Sequence, residues 1–346
     1  MNIKALLLGL AAIAGASYLL FATSQKDTPA QGISLDAKFA LYKAKFGKTY
    51  GSPAENKFRT SIFAASLNRI AAHNARSEFS YKLGLNQFSD MTIEEKRAKY
   101  LTTFPEVKGD AKCEKTAPAH LANNNKDDKV VDWVAAGKVQ AVKDQQQCGS
   151  CWAFATAGAL ESAYAVTNNV AVPSISEQEL VDCSQDYGNM GCNGGLMSYA
   201  YDYILDHKIN SEKKYPYVGE DQDCNKKLSG KGIYSIKGCV QVKPDVQGLT
   251  DAIRITPIAI AFYVQDDFFD YTSGVYNPTD CDDQPNHGVL AVGFDLSAKL
   301  KNFYVKNSWG AGWGDKGFFR IAMGKGKGTC DIAGSGWNYY PTVNAK

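Results

Sequence analysis

The chain is 346 residues long, 45% hydrophobic and 21% charged, which is enough apolar material for one large core or two modest ones and excludes a disordered or small stapled chain. A formal charge of +2, from 38 basic and 36 acidic residues, is too balanced for a protein that grips nucleic acid or an anionic membrane. Nine cysteines is an odd number, so if bridges form, at least one thiol stays unpaired or reaches another molecule.

After Lys4, the run from Ala5 to Ala22 carries no charge, and a polar stretch from Thr23 to Gln31 follows. Residues 1–24 read as a secretory signal, with a short retained anchor as the other reading. Either route brings the rest into the secretory pathway, where disulfides persist. Apolar residues then recur at helical spacing: Leu35, Phe39, Tyr42 and Phe46 within 34–50, and Phe58, Ile62, Phe63, Leu67 and Ile70 within 54–74. Pro53 suits the first turn of the second helix. Residues 1–126 hold 18 basic and 10 acidic residues, a balance of +8, and residues 127–346 hold 20 and 26, a balance of −6. The change falls in the polar run Asn123–Asp128, an exposed connector suited to proteolysis.

The second part carries Gln145-Gln146-Gln147-Cys148-Gly149-Ser150-Cys151-Trp152, followed by an Ala-rich helix from Trp152 to Val166. Cys151 at its first turn would meet unpaired N–H groups and the positive end of the helix dipole, which favour a thiolate. Of the four histidines, His73 and His120 precede the connector. His207 ends a helix over 199–206 and reads as a surface residue. His287 opens the apolar, β-branched strand His287–Phe294 and is the candidate proton partner. A further strand, Phe303–Lys306, leads to Asn307 and Trp309, an amide to hold the imidazole and an indole to shield it. A thiol–disulfide redox pair or half of a metal site at Cys148 and Cys151 are the rivals. Neither accounts for Gln145 or Asn307, and a second ligand pair at metal spacing is missing.

These motifs resemble the papain-like cysteine protease precursors, closest to the cathepsin L group, over about residues 34–343. The resemblance implies an α+β fold of two lobes, one helical and one β-barrel-like, behind a helical inhibitory prosegment, with domains at 25–126 and 127–346. It assigns Cys151 as nucleophile, His287 as acid/base and Asn307 as its orienter. Gln145 is assigned as an oxyanion donor beside the Cys151 N–H. Trp309 matches the shielding indole. The pattern Glu55, Arg59, Phe63, Ile70, Asn74 follows the prosegment's interrupted signature, with Ser66 in place of the usual Asn, and Gly84–Asp90 follows a second one. Opposite charges should help the prosegment dock, and acid should loosen it.

The same resemblance suggests bridges Cys148 to Cys192, Cys183 to Cys224 and Cys281 to Cys330. Cys113 and Cys239 have no family partner; a bridge between them would tether the inhibitor to the enzyme. For substrate it points to Gly149, Gly194, Gly195, Met197, Asn286, Gly288 and Trp309, and to a pocket without an acid, suited to apolar or aromatic residues at the second position before the cut. Gln146 stands where the family has glycine, and Ser335–Asn338 is longer than the family pattern. Without a His-rich insertion between Cys192 and Cys224, an endopeptidase is expected. Asn-x-Ser/Thr acceptors are absent, so glycan-dependent sorting is not supported, and an acidic vacuole, lysosome or the extracellular space stays open. Cofactors and metals are not expected. The expected partners are peptide or protein substrates and the chain's own prosegment, with the mature part free of membrane and nucleic acid. A catalytically silent papain-like binding or storage protein is the alternative function.

Overall fold

The computed structural model describes residues 32–102, 104–105, 112–114, 127–281 and 284–345. The expected signal, His120 and the 123–126 part of the connector lie outside them. The chain divides into two compact units, one ending at Asn56 and the other beginning at Lys57.

In the first unit, helix α1 (Leu35–Phe46) starts at Ser34, whose hydroxyl accepts from the Ala37 N–H, and stops at Gly47 with φ 63°. The expected helix over 34–50 therefore ends early, because a glycine in the left-handed conformation closes it. Phe39 stacks near Tyr42 and Tyr50, with ring centroids 6.0 and 5.9 Å away. Helix α2 (Pro53–Asn74) opens on its proline, and the Ser52 hydroxyl accepts from the Glu55 N–H.

The second unit continues with β1 (Tyr81–Leu83), α3 (Ile93–Tyr100), β2 (Val130–Asp132), α4 (Cys151–Asn168), α5 (Glu177–Cys183) and α6 (Met197–Asp206). Then come β3 (Gly238–Gln241), α7 (Val246–Ile253), β4 (Ile258–Phe262), β5 (Tyr271–Tyr276), β6 (His287–Asp295), β7 (Asn302–Lys306), β8 (Phe318–Ala322) and β9 (Tyr339–Thr342). The strands pair in the order β1-β5-β8-β7-β6-β4-β9-β3, with β2 beside β6, and all pairs are antiparallel except β5 with β8.

Two apolar cores account for the two lobes. Alternate residues of the central strands divide between them: Ile258, Ile260, Phe262, Val289 and Ala291 enter the β-rich core, while Ala259, Ala261, Leu290 and Val292 enter the core built on α4, α5 and α6. Both faces of β4 and β6 are thus covered, which is why these strands read as unbroken apolar runs. Helix α4 is buried nearly all round, as its Ala-rich sequence requires, and a side chain at Gly158 would meet Leu290 Cδ2 at 3.1 Å. No described helix is long and apolar enough to cross a membrane.

Within the second unit, residues 57–102 and 112–114 are held to the rest by sheet, helix and covalent bond. β1 extends the sheet at β5, and α3 starts in a capping box of Thr92 and Glu95. Cys113 is bonded to Cys239, and Glu114 continues the pairing beyond it: its N–H donates to Cys239 O at 2.8 Å and its carbonyl accepts from the Gln241 N–H at 2.8 Å. The two cysteines without family partners therefore pair with each other. The remaining bridges are Cys148–Cys192, Cys183–Cys224 and Cys281–Cys330, and Cys151 is the one free cysteine among the described residues.

Candidate active site

The interface between the lobes gathers the separated motifs. Cys151 is the first residue of α4, and His287 is the first of β6. Gly288, which follows the histidine, donates its N–H to Cys151 Sγ at 3.2 Å. A side chain at Gly288 would meet Cys151 O and Trp152 N at 3.2 Å, so the absence of one is what lets β6 approach α4.

His287 Nε2 lies 2.8 Å from Asn307 Oδ1. That oxygen also accepts the Ser308 N–H at 2.8 Å, which fixes it as an acceptor; Nε2 therefore carries the proton and Nδ1 keeps its lone pair. Nδ1 is buried without a hydrogen-bond partner among the described residues, as a base awaiting a proton would be. Trp309 covers the pair, its ring 4.8 Å from the imidazole and itself stacked on Phe269 at 4.9 Å.

Gln145 is completely buried, and its amide is oriented by its neighbours. Oε1 accepts the Ser308 hydroxyl at 2.7 Å, leaving Nε2 to donate to Cys148 O at 2.9 Å and Tyr100 O at 3.2 Å. A prosegment carbonyl thus takes an amide hydrogen at the expected oxyanion position. Gln146 adopts φ 54°, a left-handed backbone that suits the glycine the family has there.

The covered state differs from the thiolate expected of the working nucleophile. Burial pushes the Cys151 thiol up to about 12, against the lowering effect of the N–H groups of Gly288, Trp152 and Cys151 itself. Burial likewise pulls His287 down to about 4, against its bond to Asn307. Under the Tyr100–Thr102 segment both groups are neutral, because the helix N-terminus does not offset the loss of water.

The same segment meets two residues of the expected substrate strip, Gly149 and Asn286. Leu101 O lies 3.1 Å from where a Gly149 Cβ would stand, and Thr102 N–H donates to Asn286 O at 2.9 Å. Asn286 therefore meets the peptide through its backbone, since its side chain accepts from Val264 N–H at 2.8 Å. Gly194 takes φ 126°, and a Cβ on Gly195 would meet the Trp152 ring at 2.7 Å, so both positions need glycine. Met197 opens α6 in the helical core, against which Trp337 packs, and Phe104 lies 5.0 Å from the Trp337 ring.

His207 stands apart at the end of α6, beside Tyr203. Bonding of Cys148 to Cys192 removes it as a redox partner for Cys151. Sequence reasoning missed Ser308 and Tyr217, which hold Gln145 by its side chain and its carbonyl, because a lone Ser or Tyr carries no chemical signature. It also missed Lys143, whose ammonium lies 2.9 Å from Glu161 and 2.7 Å from Glu177 in the helical lobe.

Residues 128–339 match the description of the papain family cysteine proteases, and residues 39–95 match the cathepsin propeptide inhibitor domain (I29). The chain is 40% identical to pro-cathepsin H of Bos taurus, covering 85% of this chain and 87% of the relative. It is 39% identical to a cathepsin L-like proteinase of Fasciola hepatica, covering 87% and 92%. Among solved structures, digestive procathepsin L2 proteinase of Tenebrio molitor aligns with a TM-score of 0.81 at 34% identity, over 90% of this chain and 100% of that one. A recombinant stem bromelain precursor aligns with a TM-score of 0.80 at 31% identity, over 90% and 99%. With the thiol, imidazole and amide brought together behind an inhibitory segment, the chain belongs to the papain family of cysteine proteases and is the zymogen of a cysteine endopeptidase with its own propeptide inhibitor.

Proposed function

We propose that the mature enzyme hydrolyses peptide bonds by acyl transfer through Cys151 and His287. The carrying observation is the convergence of Cys151 Sγ, the Gly288 N–H and the Asn307-bound His287 at the lobe interface. Once the prosegment leaves, the Cys151 proton passes to His287 Nδ1. The resulting thiolate attacks the peptide carbonyl, and the C–N bond breaks as the imidazolium protonates the amine. Neutral His287 then takes a proton from water, whose oxygen attacks the thioester carbonyl; the C–S bond breaks and the Cys151 sulfur is released. Gln145 Nε2 and the Cys151 N–H receive the oxyanion in both tetrahedral intermediates.

Apolar and aromatic side chains are preferred at the second position before the cut. Met197 and Ala261 share one apolar cluster, Trp337 packs against it, and the prosegment itself presents Phe104 to Trp337. Gly149, Gly194, Gly195 and the Asn286 carbonyl hold the substrate backbone, and Trp309 bounds the far side. The enzyme enters the secretory pathway and works in an acidic vacuole, a lysosome or outside the cell, where the cleaved prosegment loosens at low pH.

The test is labelling of acid-matured protein, freed of its cleaved prosegment, with a thiol-directed peptidyl epoxide. One equivalent should modify Cys151 and abolish hydrolysis, and the Cys151→Ala variant should stay unlabelled. Unlabelled wild-type protein would instead indicate a silent binding protein. In a peptide library, arginine preferred at the second position would overturn the specificity reading.

A further inference from the structure

We propose that Tyr217 is a positioning residue for oxyanion stabilisation, its one hydroxyl setting the separation of Gln145 from the Ser150–Cys151 peptide; this rests on the acyl-transfer reading above. The phenolic O–H donates to Gln145 O at 2.8 Å, and a carbonyl can only accept. Tyrosine has one hydroxyl hydrogen, so the 2.7 Å contact with Ser150 runs the other way, with Ser150 Oγ–H donating to Tyr217. One oxygen thus joins the residue that carries one oxyanion donor to the peptide that carries the other.

Ser150 shows what this bond displaces. It is the N-cap of α4, where a serine hydroxyl ordinarily accepts an N–H of the first turn. Here Ser150 makes no side-chain cap, because its hydroxyl is turned onto Tyr217. The Cys151 and Trp152 N–H groups bear on the thiol instead.

The loop carrying Tyr217 is anchored well enough to act as a reference point. Its ring meets Phe154 of α4 edge-on, with centroids 4.8 Å apart. Its N–H donates to the Glu212 carboxylate at 2.8 Å, and the next N–H, of Val218, donates to Gln178 Oε1 on α5 at 2.9 Å. On the opposite side Ser308 holds Gln145 by both backbone and side chain. Oxyanion donors act only where they meet the developing charge, and a misplacement of about 1 Å costs roughly 10²-fold in rate.

Tyr217→Phe keeps the ring and deletes the hydroxyl. In acid-matured enzyme it should lower kcat/KM for a peptide substrate about tenfold, mainly through kcat. Alkylation by iodoacetamide, which consumes the thiolate but builds no oxyanion, should stay within about twofold. In a Gln145→Ala background the same change should lower kcat/KM by less than about twofold. Ser150→Ala, which leaves the ring and loop intact, should show the same pattern with a smaller fall and serves if Tyr217→Phe does not fold. Unchanged kcat/KM, a parallel fall in alkylation, or the full loss persisting without Gln145 would each overturn the proposal. Turnover by the unmutated enzyme is the control, since its absence would count against the acyl-transfer reading itself.

Discussion

At the residue scale, the Cys151–His287 pair changes character with its covering. His287 sits near 4 while buried, below the ordinary histidine range near 6.5, so the covered state rejects a proton that an opened state takes up. The stabilisation from keeping it neutral is complete above about pH 6.5 and is lost as pH falls toward 4. Acid therefore favours uncovering through the proposed base itself, in addition to any effect on carboxylates. In a zymogen carrying Cys151→Ala to block self-cleavage, thermal stability should decline across this window by on the order of 2–3 kcal/mol from this group. A further His287→Gln substitution should flatten that part of the decline. Parallel pH profiles for the two proteins would refute the linkage.

The candidate site residues and their order were legible in sequence because the proposed chemistry demands particular atoms: a thiol at a helix start, an imidazole opening a strand, an amide after another. Their protonation was not legible. It depends on water exclusion by Tyr100–Thr102, which reach the site from about fifty residues upstream of Cys151.

At the element scale, the 3-10 helix Asp266–Asp270 is where enzyme and prosegment exchange charge. Asp270 is fully buried, with Oδ2 accepting from Arg69 Nη2 at 2.5 Å and Oδ1 lying 3.7 Å from the buried Lys96 ammonium. Asp267 accepts the Tyr81 and Tyr276 hydroxyls, and Asp266 pairs with Arg97 at the surface. Breaking a buried pair leaves its partner desolvated and costs about 3–5 kcal/mol, whereas an exposed pair is worth about 0–1 kcal/mol. Asp270→Asn should therefore speed zymogen maturation at least tenfold at a fixed acidic pH, while Asp266→Asn should stay within about twofold, read as appearance of the mature band and of peptidase activity. Equal rates for the two variants would show that burial does not rank these contacts.

Helix positions followed from periodicity, since Pro53 and the Ala-rich run after Cys151 act locally. The partners of the strands did not. Nothing within Tyr81–Leu83 specifies β5, almost two hundred residues away, because sheet pairing is decided by which edges the folded lobes leave open.

At the scale of the whole molecule, the Cys113–Cys239 bridge separates cleavage from release. A cut within the connector between residues 114 and 128 severs the backbone, yet the prosegment stays bonded to β3 at a high effective concentration. Lys112 adds an ion pair to Asp206 at 3.0 Å. After acid cleavage at 123–129 the two pieces should run as one band without reductant and as two with it. Activity in the cleaved, unreduced protein should be well below that of the reduced one. Cys113→Ser should remove both differences. A prosegment lost without reduction or a second cut would refute the tether.

The sequence by itself determined the family and the plan: two unlike parts, a candidate nucleophile at a helix start, a candidate base on a strand, an odd cysteine. These are local signals, carried by residue type, spacing and the charge of +8 against −6. Only the tertiary structure decided which thiols meet, which carbonyl occupies the Gln145 amide, and that the thiol and imidazole are held neutral. Those outcomes depend on distance and on water exclusion between segments far apart in the chain, and neither is written in the order of the residues.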